Sequence, residues 1–322
     1  MGEYLFRRDE HYVVREGQVV LIDQTSGRLM RGQRLGGELH QLIEAKENVT
    51  IQPRGAIAKK ISIQALMRPY EHLAGMTGTA WEARHEFISV YDMPTIRFEP
   101  RIPLKRHVNR DLFFAEAAAR WERVADDIRE CHQRGQPVLV GVQSVEESRQ
   151  LGEMLAARQV PHDVLNAVDH AREARIIAEA GQRGRVTVAA RLAGRGVEIK
   201  LGEGVAELGG LHVIGAEQLP LRWYCDQLAG RCGRHGDPGS VQFYAALDDE
   251  VFHALTERER RQLSRHLLPE NGNGCHAPRL ERAVARAQAK YAAHYAAIRK
   301  ALFIEELAQE HADRTLFGQQ KL

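Results

Sequence analysis

The stretch that decides the fold is PVLVGVQSVEESRQL, residues 137–151. It opens with an uninterrupted apolar run, which is typical of a strand buried on both faces of a parallel sheet. Ser144 follows, and Glu147 stands three residues further on, so the two can form a capping box that starts a helix. The stretch therefore predicts one strand followed at once by one helix, the repeating unit of an α/β sheet.

The same alternation continues on both sides of this stretch. Further apolar runs predict strands at 162–167, 185–190, 211–216 and 241–247, with helices near 170–181 and 220–230. Such alternation builds a parallel sheet covered by helices on both faces. Because ligands of these sheets bind at the carboxyl ends of the strands, we expect the site among the loops that include Gln143–Ser144, Arg191 to Glu198 and the approach to Gln227.

Changes in composition divide the 322-residue chain into five parts. They are a hairpin and short helix in 1–50, a mixed segment in 51–93, a proline-rich linker in 94–110, the α/β domain in 111–268 and a long amphipathic helix in 269–322. Prolines keep the preceding residues extended, which favours a linker at 94–110. In the last part, apolar residues recur every three or four positions from Leu280 onward, the period of one helix face.

Composition narrows the class of protein. A net charge of +2 with 43% hydrophobic and 27% charged residues describes an ordinary globular protein and gives no reason to expect nucleic acid or an anionic membrane as a partner. The 4 cysteines include no CxxC pair, which argues against a disulfide framework and a zinc site. No run of consecutive apolar residues is long enough to form a membrane-spanning helix. We therefore expect a cytoplasmic protein.

The strongest chemical signal is QLAGRCGRHGDPG, residues 227–239. Arg231 and Arg234 are each preceded by a glycine, and Gln227 lies one helical turn upstream. At this spacing the three side chains can share a helix face, and a guanidinium can grip phosphate with two parallel hydrogen bonds. They are therefore candidate arginine fingers for a γ-phosphate. The alternative is a helix C-terminus that carries solvated arginines and is capped by glycine.

A second loop carries the same chemistry. AGRGVEIKLG, residues 193–202, places Gly194-Arg195-Gly196 after a predicted strand, with Glu198 two residues beyond. A glycine turn with an exposed arginine would explain this loop alone. Two arginine–glycine loops in one α/β domain are less easily coincidental, and together they look like motifs V and VI of the second RecA-like domain of helicase-type ATPases.

The order of these segments carries a more specific resemblance. GMTGTA, GQPVLVGVQSVEES, VLNAVDHAREARIIAEAG, VTVAARLAGRGVEIKLGEGVAELGGLHVIG and QLAGRCGRHGDPG, in this order, closely resemble SecA, the ATPase motor of bacterial preprotein translocation. The similarity runs from about residue 4 to residue 305. It implies that 1–50 is the end of a preprotein-crosslinking domain, that 51–93 returns into a first motor domain, and that the last helix is the start of a long scaffold helix.

The resemblance also implies residue roles and partners. Arg231 and Arg234 would be catalytic, and the nucleotide-binding residues would be Gly194, Arg195, Gly196, Glu198 and Gln227. The cofactor would be ATP with Mg²⁺ in a cleft shared with another domain. Expected partners are a preprotein or a secretion-channel component, with no nucleic acid. The location would be cytoplasmic, with peripheral contact at the inner face of the cell membrane.

The departures from the SecA pattern matter as much. The sequence contains no GxxxxGK[ST], the Walker A loop that cradles phosphates. Ala190, Arg191 and Leu192 stand where the family has Thr-Asn-Met, Val197-Glu198 replace Thr-Asp, and Ala229 replaces an arginine. ATP turnover would therefore require a partner chain or missing half that bears Walker A, with no turnover alone.

Two other functions stay open from the sequence. One is a catalytically inactive, SecA-derived module that binds proteins. The other is half of a nucleic-acid helicase, which predicts a basic groove with stacking aromatics. Aromatic residues make up only 6% of the chain and are not interleaved with basic runs, which disfavours the helicase.

Overall fold

The computed structural model describes residues 6, 8, 11–22, 29–30, 32–36, 38–53, 61–165, 170–190, 198–267 and 274–317. Its strands are β1 (Tyr12–Arg15), β2 (Gln18–Ile22), β3 (Leu29–Met30), β4 (Lys105–Val108), β5 (Leu112–Phe114), β6 (Val138–Val142), β7 (Asp163–Leu165), β8 (Val186–Ala190), β9 (Leu211–Gly215) and β10 (Pro238–Ala246). Its α-helices are α1 (Leu39–Lys46), α2 (Ile63–Met67), α3 (Arg84–Tyr91), α4 (Ala117–Gln133), α5 (Val145–Ala157), α6 (His170–Glu179), α7 (Arg222–Ala229), α8 (Glu257–Ser264) and α9 (Pro278–Phe317).

Within the described residues, seven strands form one sheet in the order β4-β10-β9-β6-β8-β7, and β5 also pairs with β10. Every pairing in this sheet is parallel. Its centre is β6, where Val140 lies between Val188 of β8 and Ile214 of β9. The predicted α/β class with a parallel, RecA-like sheet is confirmed.

Helices cover both faces of this sheet because the strands are apolar on both sides. On one face, α4 and α5 pack against Val138, Val140 and Val142. On the other, α6 and α7 pack around Leu139 and its neighbours. Each fully buried aliphatic side chain of this kind stabilises the fold by roughly 1.5–3 kcal/mol. The two apolar layers therefore fix where the loops between strands and helices emerge.

The predicted capping box starts α5. The Ser144 hydroxyl accepts a hydrogen bond from the Glu147 amide at 3.2 Å, and the Glu147 carboxylate accepts from the Ser144 amide at 3.0 Å. The carboxylate also accepts from the Gln143 amide at 2.8 Å. These contacts satisfy amides that the helix itself cannot pair. The turn from β6 into α5 is thus fixed by local sequence, as predicted.

The structure differs from the expectation for residues 94–110. The sequence predicts a linker there, whereas residues 105–108 form β4, which pairs with the first half of β10. The prolines themselves all precede Lys105, the first residue of β4. This strand could not be predicted, because the side chains of its sequence KRHV are mostly exposed and charged and form no apolar run. Its stability comes from backbone pairing with β10.

The N-terminal part holds the predicted hairpin. β1 and β2 pair in antiparallel fashion around Glu16 and Gly17, whose φ angles of 53° and 73° are those of a tight type I′ turn. β3 extends this small sheet. This small sheet and α1 share an apolar cluster of their own, in which Tyr12 of β1 and Ile43 of α1 are fully buried.

The long helix α9 has two different halves. Leu280, Ala283, Val284 and Ala287 are buried against the 3₁₀ helix at 250–254 and the end of α8. Further along, Leu302 is 55% exposed. There Arg299 forms a two-point ion pair with Glu86 of α3, both at 2.7 Å. None of the described helices combines the length and the low charge needed to cross a membrane.

Candidate functional site

The two candidate arginines lie beyond the end of α7, in residues 230–237, which we call the arginine segment. The helix ends at Ala229. Gly233, His235 and Gly236 then adopt positive φ angles of 66°, 54° and 84°, a conformation that does not continue a helix. The expectation that Gln227, Arg231 and Arg234 share one helix face is therefore wrong. Only Gln227 is helical.

Gln227 and Arg231 nevertheless meet at one cleft. It lies beneath α7, opens to solvent, and has a small volume of about 50 Å³. Gly141 and Val142 of β6 and Ala190 of β8 form part of its wall. The rest of the lining is mostly aliphatic, so the amide and the guanidinium provide much of its polar chemistry. An anion entering here would meet a cation close to the sheet.

Arg234 is oriented by its own segment. Its Nε donates a hydrogen bond of 2.7 Å to the carbonyl of Gly230. The guanidinium is thus folded back toward the end of α7, where the carbonyl groups of a helix carry partial negative charge. The alternative role as a solvated arginine at a helix C-terminus describes this contact well. Arg231 and Arg234 are consequently held in different ways.

Glu198 reaches the arginine segment. Its carboxylate Oε1 lies 2.7 Å from Nε2 of His235, the residue after Arg234. Both side chains are accessible, with 41% of Glu198 and 79% of His235 exposed. The contact joins the two stretches that carry the chemical signals of the sequence. Gly194, Arg195 and Gly196, the other predicted residues of the first stretch, lie outside the described residues.

The expected edge of the sheet is only partly right. The cleft is lined by Val142 and Ala190, the last residues of β6 and β8, and so lies at the expected carboxyl ends, whereas the arginine segment leads on into the amino end of β10. The chain after Glu198 explains how the two stretches still meet. Gly202 donates its amide to the carbonyl of Gly181, just before β8, at 2.9 Å. By Gly202, the chain that follows Glu198 therefore lies at the amino edge of the sheet.

The carboxyl edge holds a cluster of buried charges that the sequence reasoning missed. Arg120 of α4 lies 3.1 Å from Asp249, with side chains 3% and 2% exposed, and it also donates to the carbonyl of Ala216. Beside them Glu217 is 6% exposed. Burial, and then the carboxylates of Glu147 and Asp249, raise its pKa to about 9. Glu217 is therefore protonated at neutral pH.

This buried cluster sits where β9 leads into α7. Glu217 and Gln218 directly follow the strand, so their place next to a predicted strand end was the signal that could have revealed them. Gln218 donates to Asp111 at 2.6 Å, and Gln288 of α9 donates to the carbonyl of Leu219 at 2.9 Å. Burial raises the pKa of Asp111 to about 6. Residues 216–219, which lead into α7, are therefore held to α4 through Arg120 and to α9 through Gln288.

No group of three or more His, Cys, Asp or Glu side chains suited to a metal ion occurs in the part of the chain that the structure describes. The carboxylates at the carboxyl edge are instead engaged with Arg120, Gln143 and backbone amides. We therefore assign no metal ligand among the residues that the structure describes.

A parallel sheet covered by helices on both faces, with a cleft beneath α7, defines an α/β domain of the RecA-like class. Family comparison gives a more specific result. The SecA P-loop domain matches residues 103–207 and 202–271, more than half of the chain, and the SecA preprotein cross-linking domain matches residues 1–44. This chain belongs to the SecA family.

Individual relatives agree with this assignment. The protein translocase subunit SecA of Solidesulfovibrio magneticus is 43% identical over 301 residues, which are 94% of this chain and 36% of the relative. That of Nitratidesulfovibrio vulgaris is 44% identical over 298 residues, 92% of this chain and 36% of the relative. The chain thus spans about 36% of the length of these curated relatives.

Among solved structures, the yeast DEAD-box splicing factor Prp28 is similar to this chain with a TM-score of 0.39 and 13% identity. The similarity covers 66% of this chain and 44% of Prp28. Scores this low carry no functional argument. The fold assignment rests on the strand order and the parallel register described above.

Proposed function

We propose that this chain supplies the second motor domain of a SecA-type protein-translocation ATPase. In this proposal the arginine segment faces the phosphates of ATP held by a Walker A domain that the sequence does not contain. The isolated chain would then bind ATP weakly or not at all and would not hydrolyse it. The five-part division of the chain proposed from its sequence remains part of this interpretation.

The observation that carries the proposal is the meeting of two stretches at one place. Glu198 contacts His235 at 2.7 Å, and Arg231 lines the same cleft as Gln227. Glu198 of the first stretch is thereby brought beside the segment that carries Arg231 and Arg234. A cluster of solvated arginines with no site would require no such convergence.

The chain's residues fit one part of the nucleotide and not the rest. Arg231 and Arg234 can neutralise charge on the γ-phosphate because a guanidinium stays protonated and donates in a planar fork. Gln227 can orient the phosphate or a water through its amide. Magnesium-bound ATP would bring the reactive phosphoanhydride, and its cradle would have to come from the other domain.

Turnover measured with a supplied first motor domain tests this. The first motor domain of the Solidesulfovibrio magneticus relative is a suitable donor, because its SecA is 43% identical to this chain. We expect magnesium-dependent ATP hydrolysis only when both parts are present. Arg231→Ala should lower kcat by about 10³–10⁵, the usual cost of losing an arginine finger.

Arg261→Ala is the matched control, because Arg261 lies on α8 and forms an exposed ion pair with Glu257. Its turnover should equal that of the unmodified chain. The proposal fails if the reconstituted pair is inactive, or if Arg231→Ala and Arg261→Ala have the same activity. It also fails if the isolated chain hydrolyses ATP and loses that activity in Arg231→Ala.

A SecA-derived protein-binding module without ATPase activity is the second candidate. Two observations favour it. The Nε of Arg234 donates a hydrogen bond to the carbonyl of Gly230, and Ala229 stands where the family has an arginine. In that case the match to the preprotein cross-linking domain at 1–44 would carry the function. Affinity purification from the source cells separates the two. A co-purifying Walker A protein supports the motor, and a secretion component alone supports the module.

Apart from the Walker A protein, the expected partners are the same in both proposals. A preprotein or a component of the secretion channel would contact this chain, and its contact with the membrane would be peripheral at the cytoplasmic face. Vesicles that contain the channel should retain the chain in sedimentation, whereas protein-free vesicles should not. Retention by both would point to direct lipid binding and contradict this part of the proposal.

A further inference from the structure

Arg106 occupies a special place in β4, within the residues that the sequence assigns to the linker. It is the one residue of this strand that is partly buried, whereas the other three are exposed. In the register of the sheet it lies opposite Gly239 at the start of β10. The arginine segment ends directly before that point. A linker side chain is therefore brought next to the two candidate phosphate-binding arginines.

The guanidinium of Arg106 holds the end of α7. Its Nη1 donates to the carbonyl of Ala229 at 2.9 Å and approaches the carbonyl of Cys232 at 3.5 Å. The last carbonyls of a helix have no partner within the helix and carry partial negative charge. A partly buried, charged donor at this position satisfies the Ala229 carbonyl and fixes the direction in which the chain leaves the helix.

The backbone of the linker also lies against the arginine segment. A Cβ atom placed on Gly233 would lie 2.6 Å from Cβ of Arg106 and 3.2 Å from its Cα, and one placed on Gly236 would lie 3.0 Å from Ile102. Because neither glycine carries a side chain, the linker can pack closely against the arginine segment at both positions. At Gly233 the group that approaches is the backbone of β4 together with Cβ of Arg106.

We propose that Arg106 is a positioning residue, which holds the arginine segment in place so that the presentation of Arg231 and Arg234 depends on a docked linker strand. The catalytic consequence rests on the proposed function, whereas the anchoring of the segment does not. Movement of the linker away from β10 would release the carbonyls of Ala229 and Cys232 and free the segment to reorient.

Hydrogen exchange on the whole chain tests the anchoring. The amides of Arg231 and Asp237 report on the segment, because they donate to Leu228 and Arg234 at 2.9 Å and 2.8 Å. In Arg106→Gln we expect them to exchange about tenfold faster, the size of effect that loss of a charged hydrogen bond gives for a local opening. Amides in the middle of α4 should keep their rates.

Lys105→Gln is the matched control, since Lys105 is the exposed neighbour on the same strand, and it should leave the segment unchanged. Arg106→Lys should fall between the two because an ammonium can still reach one carbonyl but lacks the planar fork. The anchoring is disproved if Arg106→Gln exchanges like the unmodified chain. If that variant also speeds α4, the comparison of Arg106→Lys with Lys105→Gln decides, and equal rates disprove it.

ATP turnover with the supplied first motor domain tests the positioning. Arg106→Gln should lower kcat about tenfold and leave KM for ATP within about twofold, because the Walker A domain provides most of the binding. An unchanged kcat beside faster exchange overturns the positioning role. If the unmodified pair shows no turnover, the proposed function fails, and the exchange experiment still decides the anchoring.

Discussion

Two regions of this molecule hold arginines in opposite ways. At the carboxyl edge, Arg120 is buried, ion-paired with Asp249 and placed 4.5 Å from the ring of Trp121. Beyond the end of α7, Arg231 and Arg234 lie in a glycine-rich segment. Buried charges cannot meet a ligand, whereas charges in an accessible loop can. The first region therefore serves the stability of the fold, whereas the second keeps Arg231 at the cleft where we propose the phosphate contact.

The largest expected effect separates the regions by stability. Arg120→Ala would leave Asp249 as a buried carboxylate without its partner, which typically costs about 3–5 kcal/mol of unfolding free energy. Denaturation with urea measures this directly. Arg149→Ala is the control, since Arg149 forms only exposed ion pairs on α5, and its midpoint should not move. Equal midpoints for the two variants would contradict the structural role.

The second effect compares two glycines with almost the same backbone. Gly233 and Gly204 have φ angles of 66° and 71°, but a Cβ would collide with Arg106 at Gly233 and would meet nothing within 4 Å at Gly204. Gly204→Ala should cost about 1–2 kcal/mol from backbone strain alone. Gly233→Ala should cost measurably more in the same denaturation experiment. Equal costs would mean that β4 does not press on the arginine segment.

The third effect is a pH dependence that belongs to the buried region. The pKa of Glu217 is raised to about 9 in the folded protein, above its value of roughly 4.3 in an unfolded chain. The folded state therefore binds an extra proton between these values, and stability falls as pH rises through this window, by at most about 1.4 kcal/mol per pH unit.

Glu217→Gln removes this titration. The stability of the variant relative to the unmodified chain should rise between about pH 6.5 and about pH 8.5, above the pKa of about 6 that Asp249 has in the fold. Urea midpoints at several pH values measure the difference. A constant difference across this range would show that Glu217 is already ionised.

The smallest effect belongs to the contact between Glu198 and His235. Both groups are accessible, so their coupling energy should stay below about 1 kcal/mol. A double-mutant cycle with Glu198→Gln and His235→Ala measures it. A coupling well above that size would mean that the pair holds the arginine segment more firmly than Arg106 does.

Much of the fold could be predicted from sequence because its signals are local. Apolar runs gave the strands β6, β8 and β9 to within a residue or two, and the spacing of Ser144 and Glu147 gave the start of α5. β4 could not be predicted, since an exposed, charged edge strand has no apolar pattern. The site residues named from the sequence stay a prediction, and their geometry could not be predicted, because the length of α7 and the course of the chain after Glu198 leave no periodic signal.

The sequence by itself determined the family, the parallel sheet and the identity of the arginines, because these depend on residue type, spacing and order along the chain. The tertiary structure alone decided that α7 stops before Arg231, that Glu198 returns to meet His235, and that Arg106 of the linker binds the end of that helix. The physical reason is that these contacts join residues far apart in the chain. Only the packed sheet fixes their distances.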